Sequence, residues 1–291
     1  MVSKFQIKVT PLIRTKFLSD EPIVVEVLSA SDLNIKYLDC VDAYISSWLS
    51  VPIQNSVKFI PKVLIIAKSI PESLVAFDEY LVLIDPHDMP SAYVAQTARI
   101  VEARNSKADY VMTSDIDMLP LTVNFESALV SSENFNSSSF FILRDVLEPG
   151  QYPICYNLAK PVVWHTLLDF YGNSLTTPEI LKKILDEHGG ISSYSGLHGG
   201  KGWTIDQQTL WKLVQLEPTS IVIKSFVDSQ TAHRRLDRIH HRGFIKWLIL
   251  PLVLIGYYHD YHIHHPIKLN IKYIRLVLRL RNLRFGIRRH P

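Results

Sequence analysis

The stretch Ala108–Pro120, ADYVMTSDIDMLP, decides how the chain is interpreted. It contains the apolar run Tyr110–Met112 and, just after it, two aspartates one residue apart, Asp115 and Asp117. Side chains alternate along a strand, so both carboxylates leave the strand end on the same side. Strand ends are also where open α/β sheets form a ligand crevice. Two close anions repel unless a cation or a donor network lies between them, and Mg²⁺ or Mn²⁺ carrying a phosphate is the simplest such cation.

The residues before this stretch alternate between strand-like and helix-like patterns. Helices are predicted at 33–49, with Asp32 as N-cap, and from Ser91 to about residue 106. Strands are predicted at 23–28, 61–67, 80–84 and 110–113. Strands separated by helices indicate an α/β fold with a mostly parallel sheet flanked by helices. After Leu121 we predict shorter strands at 140–143 and 151–156, and helices at 161–171, 178–188 and 203–213.

Composition indicates a globular body with a basic tail. The 291 residues are 47% hydrophobic and 20% charged, which suits one large domain or a domain with an appendage. From Ile267 onward there are eight Lys or Arg and no acid, whereas the rest carries 23 basic and 28 acidic residues, a net charge of −5. Cys40 and Cys155 are interpreted as buried thiols, because two cysteines with no metal-ligand spacing define neither a disulfide framework nor a metal site.

The order of elements before the acidic pair resembles that of the GT-A glycosyltransferases. These enzymes bind a nucleotide-sugar diphosphate through a divalent ion at an Asp-x-Asp motif, and the resemblance covers roughly residues 22–208. It implies a GT-A-like, Rossmann-like sheet and a catalytic domain at 1–243, with a nucleotide-sugar-binding half at 22–121 and an acceptor half at 122–243. It also implies that Asp115 and Asp117 hold Mn²⁺ or Mg²⁺, with Ile116 and Ser29 beside the donor.

One further match to this superfamily is positional. Many members carry Ala-Arg-Asn on the helix before the acidic motif, with the Arg sixteen residues ahead of the first Asp. Here Ala98-Arg99 stands sixteen residues before Asp115, and Ile100 replaces the Asn. The resemblance implies that Arg99 faces the donor; the alternative is a surface salt bridge.

The segment Gly202–Gln207 resembles the stretch that several glycosyltransferases place beside acceptor and sugar. Gly202 lets the backbone approach a ligand closely, and Trp203 can stack on a sugar face. In an inverting reaction Asp206 would act as the base that takes the acceptor proton; in a retaining one, Asp206 or Gln207 would contact the sugar. The alternative is that Asp206 caps the helix that follows it.

Histidines concentrate late in the chain, at 233, 240 and 241 and between 259 and 265. In metal-dependent GT-A enzymes a late His often completes the ion's shell, which makes His262 or His264 the candidate. His262 is preferred because Asp260 could orient its ring. A zinc site formed by these histidines alone has no standard spacing to support it. A cluster of three arginines could neutralise a leaving diphosphate, or could simply lie on the surface: Arg234, Arg235 and Arg238.

The segment 244–291 combines an apolar stretch with a basic amphipathic pattern. Such a helix is typical of an interfacial membrane anchor. The alternative is a helix that packs on the acidic body. Nucleic acid is not expected, because no known module accompanies the charge. We expect a cytosolic protein, with the cytosolic face of a membrane as a candidate partner of this segment, since the chain lacks a signal-peptide pattern or a run of ~20 apolar residues.

The sequence therefore predicts a metal-dependent glycosyltransferase that uses a nucleotide-diphosphate sugar, with UDP or GDP as the nucleotide, and a glycan or lipid-linked hydroxyl acceptor. A non-catalytic protein that binds nucleotide sugars or carbohydrates on the same fold is the alternative. A phosphatase with Asp115 as nucleophile fits less well, because that arrangement normally starts near the N-terminus and continues with Gly-Thr.

Overall fold

The computed structural model describes residues 21–122, 129, 138–146, 148–172, 174–197, 199–216, 220–226, 228, 234–238 and 245–286. The histidines at 233, 240 and 241, and the predicted domain boundary at 243, lie outside these ranges.

Within the described residues a seven-stranded sheet forms the centre of the fold. Its strands are β1 (Ile23–Asp32), β2 (Val57–Ile66), β3 (Leu81–Ile84), β4 (Tyr110–Thr113), β6 (Ser139–Ile142), β7 (Asn157–Ala159) and β8 (Val222–Ser225). The order is β3-β2-β1-β4-β7-β6-β8, and every neighbouring pair is parallel except the two that involve β7. A smaller sheet has the order β5-β10-β9, formed by β5 (Met118–Pro120), β9 (Arg235–Leu236) and β10 (Asp260–His262).

Helices cover both faces of the large sheet. They are α1 (Ile35–Leu38), α2 (Val41–Leu49), α3 (Ser91–Glu102), α4 (Pro161–Leu168), α5 (Thr177–Glu187), α6 (Ile205–Leu216), α7 (Ile245–Leu248), α8 (Leu250–Leu254) and α9 (Ile267–Arg284). A nine-residue 3₁₀ segment occurs at Glu72–Tyr80, and three-residue 3₁₀ turns occur at Ala103–Asn105, Asp169–Tyr171 and Ile191–Ser193.

Two apolar cores lie on opposite faces of the sheet. Alternate β1 residues divide between them: Val25 and Val27 enter the core of α2, and Leu28 and Ala30 enter that of α3. The predicted mixed α/β fold with a mostly parallel, helix-flanked sheet is confirmed.

The prediction of one helix at 33–49 is wrong. Strand β1 continues four residues further than predicted, and Asp32 still pairs with Ile66 of β2. The Asp32 carboxylate accepts the Asn34 N–H at 3.0 Å, and Asn34, not Asp32, caps α1 by accepting the Lys36 N–H at 3.1 Å. The extended backbone at Asp32 therefore delays the helix, which then forms as α1 and α2.

The predicted strand at 151–156 is also wrong, since these residues form no strand and the strand β7 begins only after them, at Asn157. Tyr156 has a φ of +66°, a left-handed conformation that interrupts an extended backbone. Pairing with β4 and β6 begins only after it, from Asn157 onward. The two cysteines are free and buried, as predicted.

The C-terminal segment packs on the body of the protein. Ile274 and Val277 of α9 are 1% and 0% exposed and belong to the same core as β1 and β2. The buried Arg281 donates to the Ser47 carbonyl oxygen at 3.0 Å and to the Pro120 carbonyl oxygen at 2.9 Å. This contact is the packing alternative considered for the segment. The described residues include no helix with the length and apolar character needed to cross a membrane.

Candidate functional site

A cavity of about 490 Å³ lies at the carboxyl ends of β1 and β4. The amino end of the antiparallel β7 reaches the same edge, and the remaining walls come from α3 and from the start of α6. Its lining includes Ser31, Asp32, Asn34, Tyr37, Gln96, Arg99, Asp115, Ile116, Asp117, Cys155, Trp203, Asp206, Gln207, Arg238 and His262. The predicted strand-end crevice is therefore present, and its volume suits a small-molecule ligand.

The acidic pair lies in a tight turn between β4 and β5. Ser114 still bonds to β1, donating its N–H to the Leu28 carbonyl oxygen at 2.9 Å, and the Asp115 carbonyl oxygen then accepts the Met118 N–H at 3.1 Å. Asp115 and Asp117 both line the cavity, although they lie in the turn and not on the strand.

Arg99 of α3 connects two carboxylates across the cavity. Its Nη1 donates to Asp115 Oδ1 at 2.5 Å and to the Ser114 carbonyl oxygen at 2.9 Å, and its Nη2 lies 3.4 Å from Asp206 Oδ2. Burial alone would lower the pKa of Arg99, but Asp115 and Asp206 hold this pKa above its ordinary value. The alternative of a surface salt bridge is wrong, because Arg99 is only 6% exposed.

Asp206 lies in the first turn of α6 and is almost fully buried. Burial raises its pKa to about 6, and the charge of Arg99 opposes this rise. Its Oδ1 accepts the Gln207 N–H at 2.9 Å. Because α6 begins at Ile205, Asp206 lies inside the helix and is not its N-cap.

Asp117 has a separate set of partners on the other side of the turn. Its Oδ2 accepts a hydrogen bond from Nη2 of Arg238 and lies 3.1 Å from His265 Nε2 and 3.5 Å from His262 Nε2. Burial would raise the pKa of Asp117, but the hydrogen bonds of the two histidines and the charge of Arg238 hold it well below its ordinary range.

The carboxylate beside His262 is not Asp260, which was predicted to orient its ring. Asp260 Oδ2 contacts Arg144 at 3.3 Å and Arg235 at 3.4 Å. The carboxylate near His262 is Asp237, whose Oδ1 lies 3.5 Å from Nδ1. His264 does not line the cavity, whereas His262 does.

The remaining predicted residues divide between the cavity wall and the surrounding structure. Ile116, Trp203 and Gln207 line the cavity, whereas Ser29 and Gly202 do not. Ser29 is fully buried within β1, because that strand continues to Asp32. Gly202 has a φ of +77°, and a Cβ there would lie 2.7 Å from the Ser193 carbonyl oxygen. Its close backbone approach is therefore to the protein itself.

Of the three arginines, only Arg238 lines the cavity. Arg234 lies over the Tyr257 ring at 4.2 Å, and Arg235 contacts Asp260.

Sequence reasoning missed several cavity residues. Ser31 lies in the part of β1 beyond the predicted strand end, and Asn34 and Tyr37 lie before and in α1, directly after that strand. A correct prediction of where β1 ends would have indicated all three. Gln96 lies one helical turn before Arg99, and this spacing was visible. Nothing in the spacing marked His265, whose contact with Asp117 spans 148 residues.

In the structure, protein cations and hydrogen-bond donors surround the acidic pair, which is the donor-network alternative to a divalent ion. Arg99 neutralises Asp115, and Arg238 with the two histidines surrounds Asp117. In the described part of the chain, no three His, Cys, Asp or Glu side chains are already arranged as metal ligands.

Fold and cavity together define an α/β protein with a ligand-sized, charged site at the carboxyl edge of a mostly parallel sheet. No protein-family model matches the chain, and no curated protein matches it. Among solved structures it is similar to the glycosyltransferase GlyE of Streptococcus pneumoniae TIGR4, with 12% identity and a TM-score of 0.47 over 92% of this chain and 64% of that chain. The apo form of GlyE has the same identity and coverage and a TM-score of 0.45.

A further similar structure is the galactosyltransferase LgtC in complex with donor and acceptor sugar analogs. It has 12% identity and a TM-score of 0.42 over 91% of this chain and 97% of that chain. This chain spans 64% of the length of the GlyE structures.

Proposed function

We propose that the protein is a metal-dependent glycosyltransferase that moves a sugar from a nucleotide-diphosphate sugar to a hydroxyl acceptor. The main support is the convergence of three aspartates on one cavity, Asp115, Asp117 and Asp206, with imidazoles beside the second of them.

The donor set at Asp117 fits Mn²⁺ or Mg²⁺ in its chemistry. Carboxylate oxygens suit both ions, and an imidazole favours Mn²⁺. We assign Asp115, Asp117 and His262 as the proposed ligands; Asp237, whose Oδ1 lies 3.5 Å from His262 Nδ1, would orient the ring on closing to hydrogen-bond distance. When bound, the ion would neutralise the diphosphate of the donor and so ease its departure from the sugar.

Arg238 would compete with a metal ion for the Asp117 carboxylate, because its Nη2 donates to Oδ2. A cation bound at Oδ2 would displace this guanidinium from Asp117. Arg238 lines the cavity, so it can then donate to the diphosphate, where a guanidinium forms charge-assisted hydrogen bonds.

On the opposite wall, Arg99 holds Asp206 in place and Trp203 offers an aromatic face for a sugar. A pKa of about 6 keeps Asp206 largely ionised at neutral pH but still able to accept a proton. It can therefore serve as the base towards an acceptor hydroxyl, or contact the sugar together with Gln207.

A thermal-shift screen of UDP- and GDP-sugars, each with and without Mn²⁺, tests the ligand class. We expect stabilisation that requires both ion and nucleotide, because only their complex occupies the whole site. Stabilisation by nucleotide sugars with no turnover over a broad acceptor panel would favour a non-catalytic binding protein.

The Asp117→Asn variant tests the catalytic assignment. It preserves the shape of the side chain and removes its charge, so we expect donor hydrolysis and sugar transfer to be lost while the protein stays folded. Asp85→Asn is the matched control, because Asp85 lies on the surface away from the cavity. Wild-type activity in Asp117→Asn would reject the assignment.

A further inference from the structure

Helix α9 presents a basic face to solvent. Its six exposed residues comprise four cations and two leucines: Lys268, Lys272, Arg275, Arg279, Leu269 and Leu283. Leu269 is 82% exposed and Leu283 is 68% exposed, and no acid occurs in the chain from Ile267 onward. The opposite face of the helix is held in the core, so these side chains are displayed on a fixed support.

The preceding helices α7 and α8 lie along α9 and add exposed apolar side chains. The Trp247 ring packs edge-on against the Tyr273 ring with centroids 6.1 Å apart, and the Tyr273 hydroxyl donates to the Lys246 carbonyl oxygen at 2.8 Å. At the other end, Gly256 lies against the guanidinium of Arg284. The exposed apolar residues of this part are Trp247, Leu248, Leu254 and Ile255.

The apolar and basic groups form one continuous surface. Counted at about 100° per residue from Ile267, the four cations lie at about 80–140° and the two exposed leucines at about 160–200°. Tyr273 and Arg284, which touch α7 and the turn after α8, lie at about 240–260°. The leucines therefore stand between the cations and the apolar residues of α7 and α8. We call these ten exposed residues the C-terminal face.

We propose that the C-terminal face binds the surface of an anionic lipid bilayer. Exposed leucines, an isoleucine and a tryptophan can enter the boundary between headgroups and acyl chains, while the adjacent cations attract anionic headgroups. The ten residues of the face include no carboxylate; Lys268 lies 3.4 Å from the Asp39 carboxylate beside the face, and the attraction therefore rests mainly on Lys272, Arg275 and Arg279. A protein partner would bury leucines equally well, but it would not require four cations beside them.

The test is co-sedimentation of the full chain with vesicles of phosphatidylcholine alone and with phosphatidylglycerol added. We expect binding to the anionic vesicles at low salt and at least a roughly tenfold loss at high salt, because screening weakens the charge attraction. Equal binding to both vesicle types, or no binding to either, would overturn the proposal. Retention on heparin without vesicle binding would instead point to a soluble polyanion.

Two variants separate the charged and apolar contributions. Lys272→Glu/Arg275→Glu/Arg279→Glu should reduce binding at least tenfold, and Leu269→Ser/Leu283→Ser should also reduce it. The charge control is Lys58→Glu/Lys68→Glu/Lys107→Glu, and the apolar control is Val75→Ser/Val162→Ser, all exposed residues outside α7–α9. If a variant and its control lost vesicle binding equally, this result would contradict binding through the C-terminal face.

A label reports on the face itself. Leu269→Cys can be coupled to an environment-sensitive fluorophore, because Cys40 and Cys155 are buried. We expect a blue shift on anionic vesicles; an unchanged spectrum with bound protein would place the contact elsewhere. None of these measurements uses sugar transfer, so they stand or fall separately from the proposed activity.

Discussion

The guanidinium of Arg99 lies 3.4 Å from the carboxylate of Asp206, although 107 residues separate them along the chain. The same guanidinium bonds to Asp115 at 2.5 Å, so one buried cation sets the relative position of two acids on opposite walls of the cavity. The relative position of Asp115 and Asp206 in the candidate site thus depends on the ion pairs that both carboxylates form with Arg99.

Replacement of Arg99 should destabilise the fold. Arg99→Ala leaves the buried Asp206 without its cation, and we expect the free energy of unfolding to fall by about 3 kcal/mol. Arg104→Ala is the control, since it removes a guanidinium whose partner among the described residues is a neutral group, the Leu175 carbonyl oxygen at 2.6 Å. Urea denaturation measures both; similar, small losses would mean that the bridge contributes little.

Activity should follow the ionisation of Asp206. Its raised pKa of about 6 means that the carboxylate is protonated below this pH and ionised above it. If it is the base, kcat/KM rises as the pH passes upward through about 6 and then levels. Asp206→Asn should lose roughly 10²–10⁴-fold in rate and also lose this limb of the profile. A limb that persists in the variant would belong to another group.

Removal of Arg238 should have opposite effects on ion and donor. In Arg238→Ala the Asp117 carboxylate is freed from a competing cation, so Mn²⁺ alone should bind roughly tenfold more tightly. The nucleotide sugar should bind roughly tenfold more weakly, because its diphosphate loses a donor. Calorimetry measures both affinities, with Arg234→Ala as a control outside the cavity. Weaker Mn²⁺ binding in Arg238→Ala would contradict the competition.

Gly202 should tolerate no side chain. Gly202→Ala combines a left-handed φ of +77° with a Cβ placed 2.7 Å from the Ser193 carbonyl oxygen. We expect a loss of about 2–4 kcal/mol. Gly196→Ala isolates the conformational part, because Gly196 has a φ of +70° with nothing within 4 Å, and it should lose only about 1 kcal/mol. Thermal unfolding measures the stability of both variants. Equal losses of stability would show that the backbone at Ser193 moves to make room for the new Cβ.

The buried Arg281 should stabilise the attachment of α9. Arg281→Ala removes donors to Ser47 and Pro120 and leaves a cavity, so we expect a loss of about 3 kcal/mol. Arg279→Ala, two residues earlier on the exposed side, should change stability by less than about 0.5 kcal/mol. Denaturant titration compares them; a small effect of Arg281→Ala would mean that apolar contacts alone hold the helix.

Local patterns predicted most of the large sheet. Strand β4 has the predicted bounds, because a short apolar run with polar residues on both sides leaves little freedom in where the strand can lie. The predicted end of β1 at Leu28 is four residues too early, since Ser29 and Ser31 resemble a loop in sequence but are kept extended by pairing with β2. The local sequence preference for or against a strand is weak at such positions, and pairing with a neighbouring strand overrides it.

The sequence by itself determined the α/β architecture, the position of the acidic pair at a strand end and the contrast between an acidic body and a basic tail. These follow from apolar periodicity and composition, which are local properties. Only the tertiary structure decided that Arg99 and Arg238 neutralise the pair, that His265 joins His262 at Asp117, and which side of α9 faces solvent. Arg238, His262 and His265 lie more than a hundred positions from Asp117. The contact of Arg99 with Asp115 spans only sixteen positions, but it depends on how α3 packs on the sheet, and no local pattern records either kind of contact.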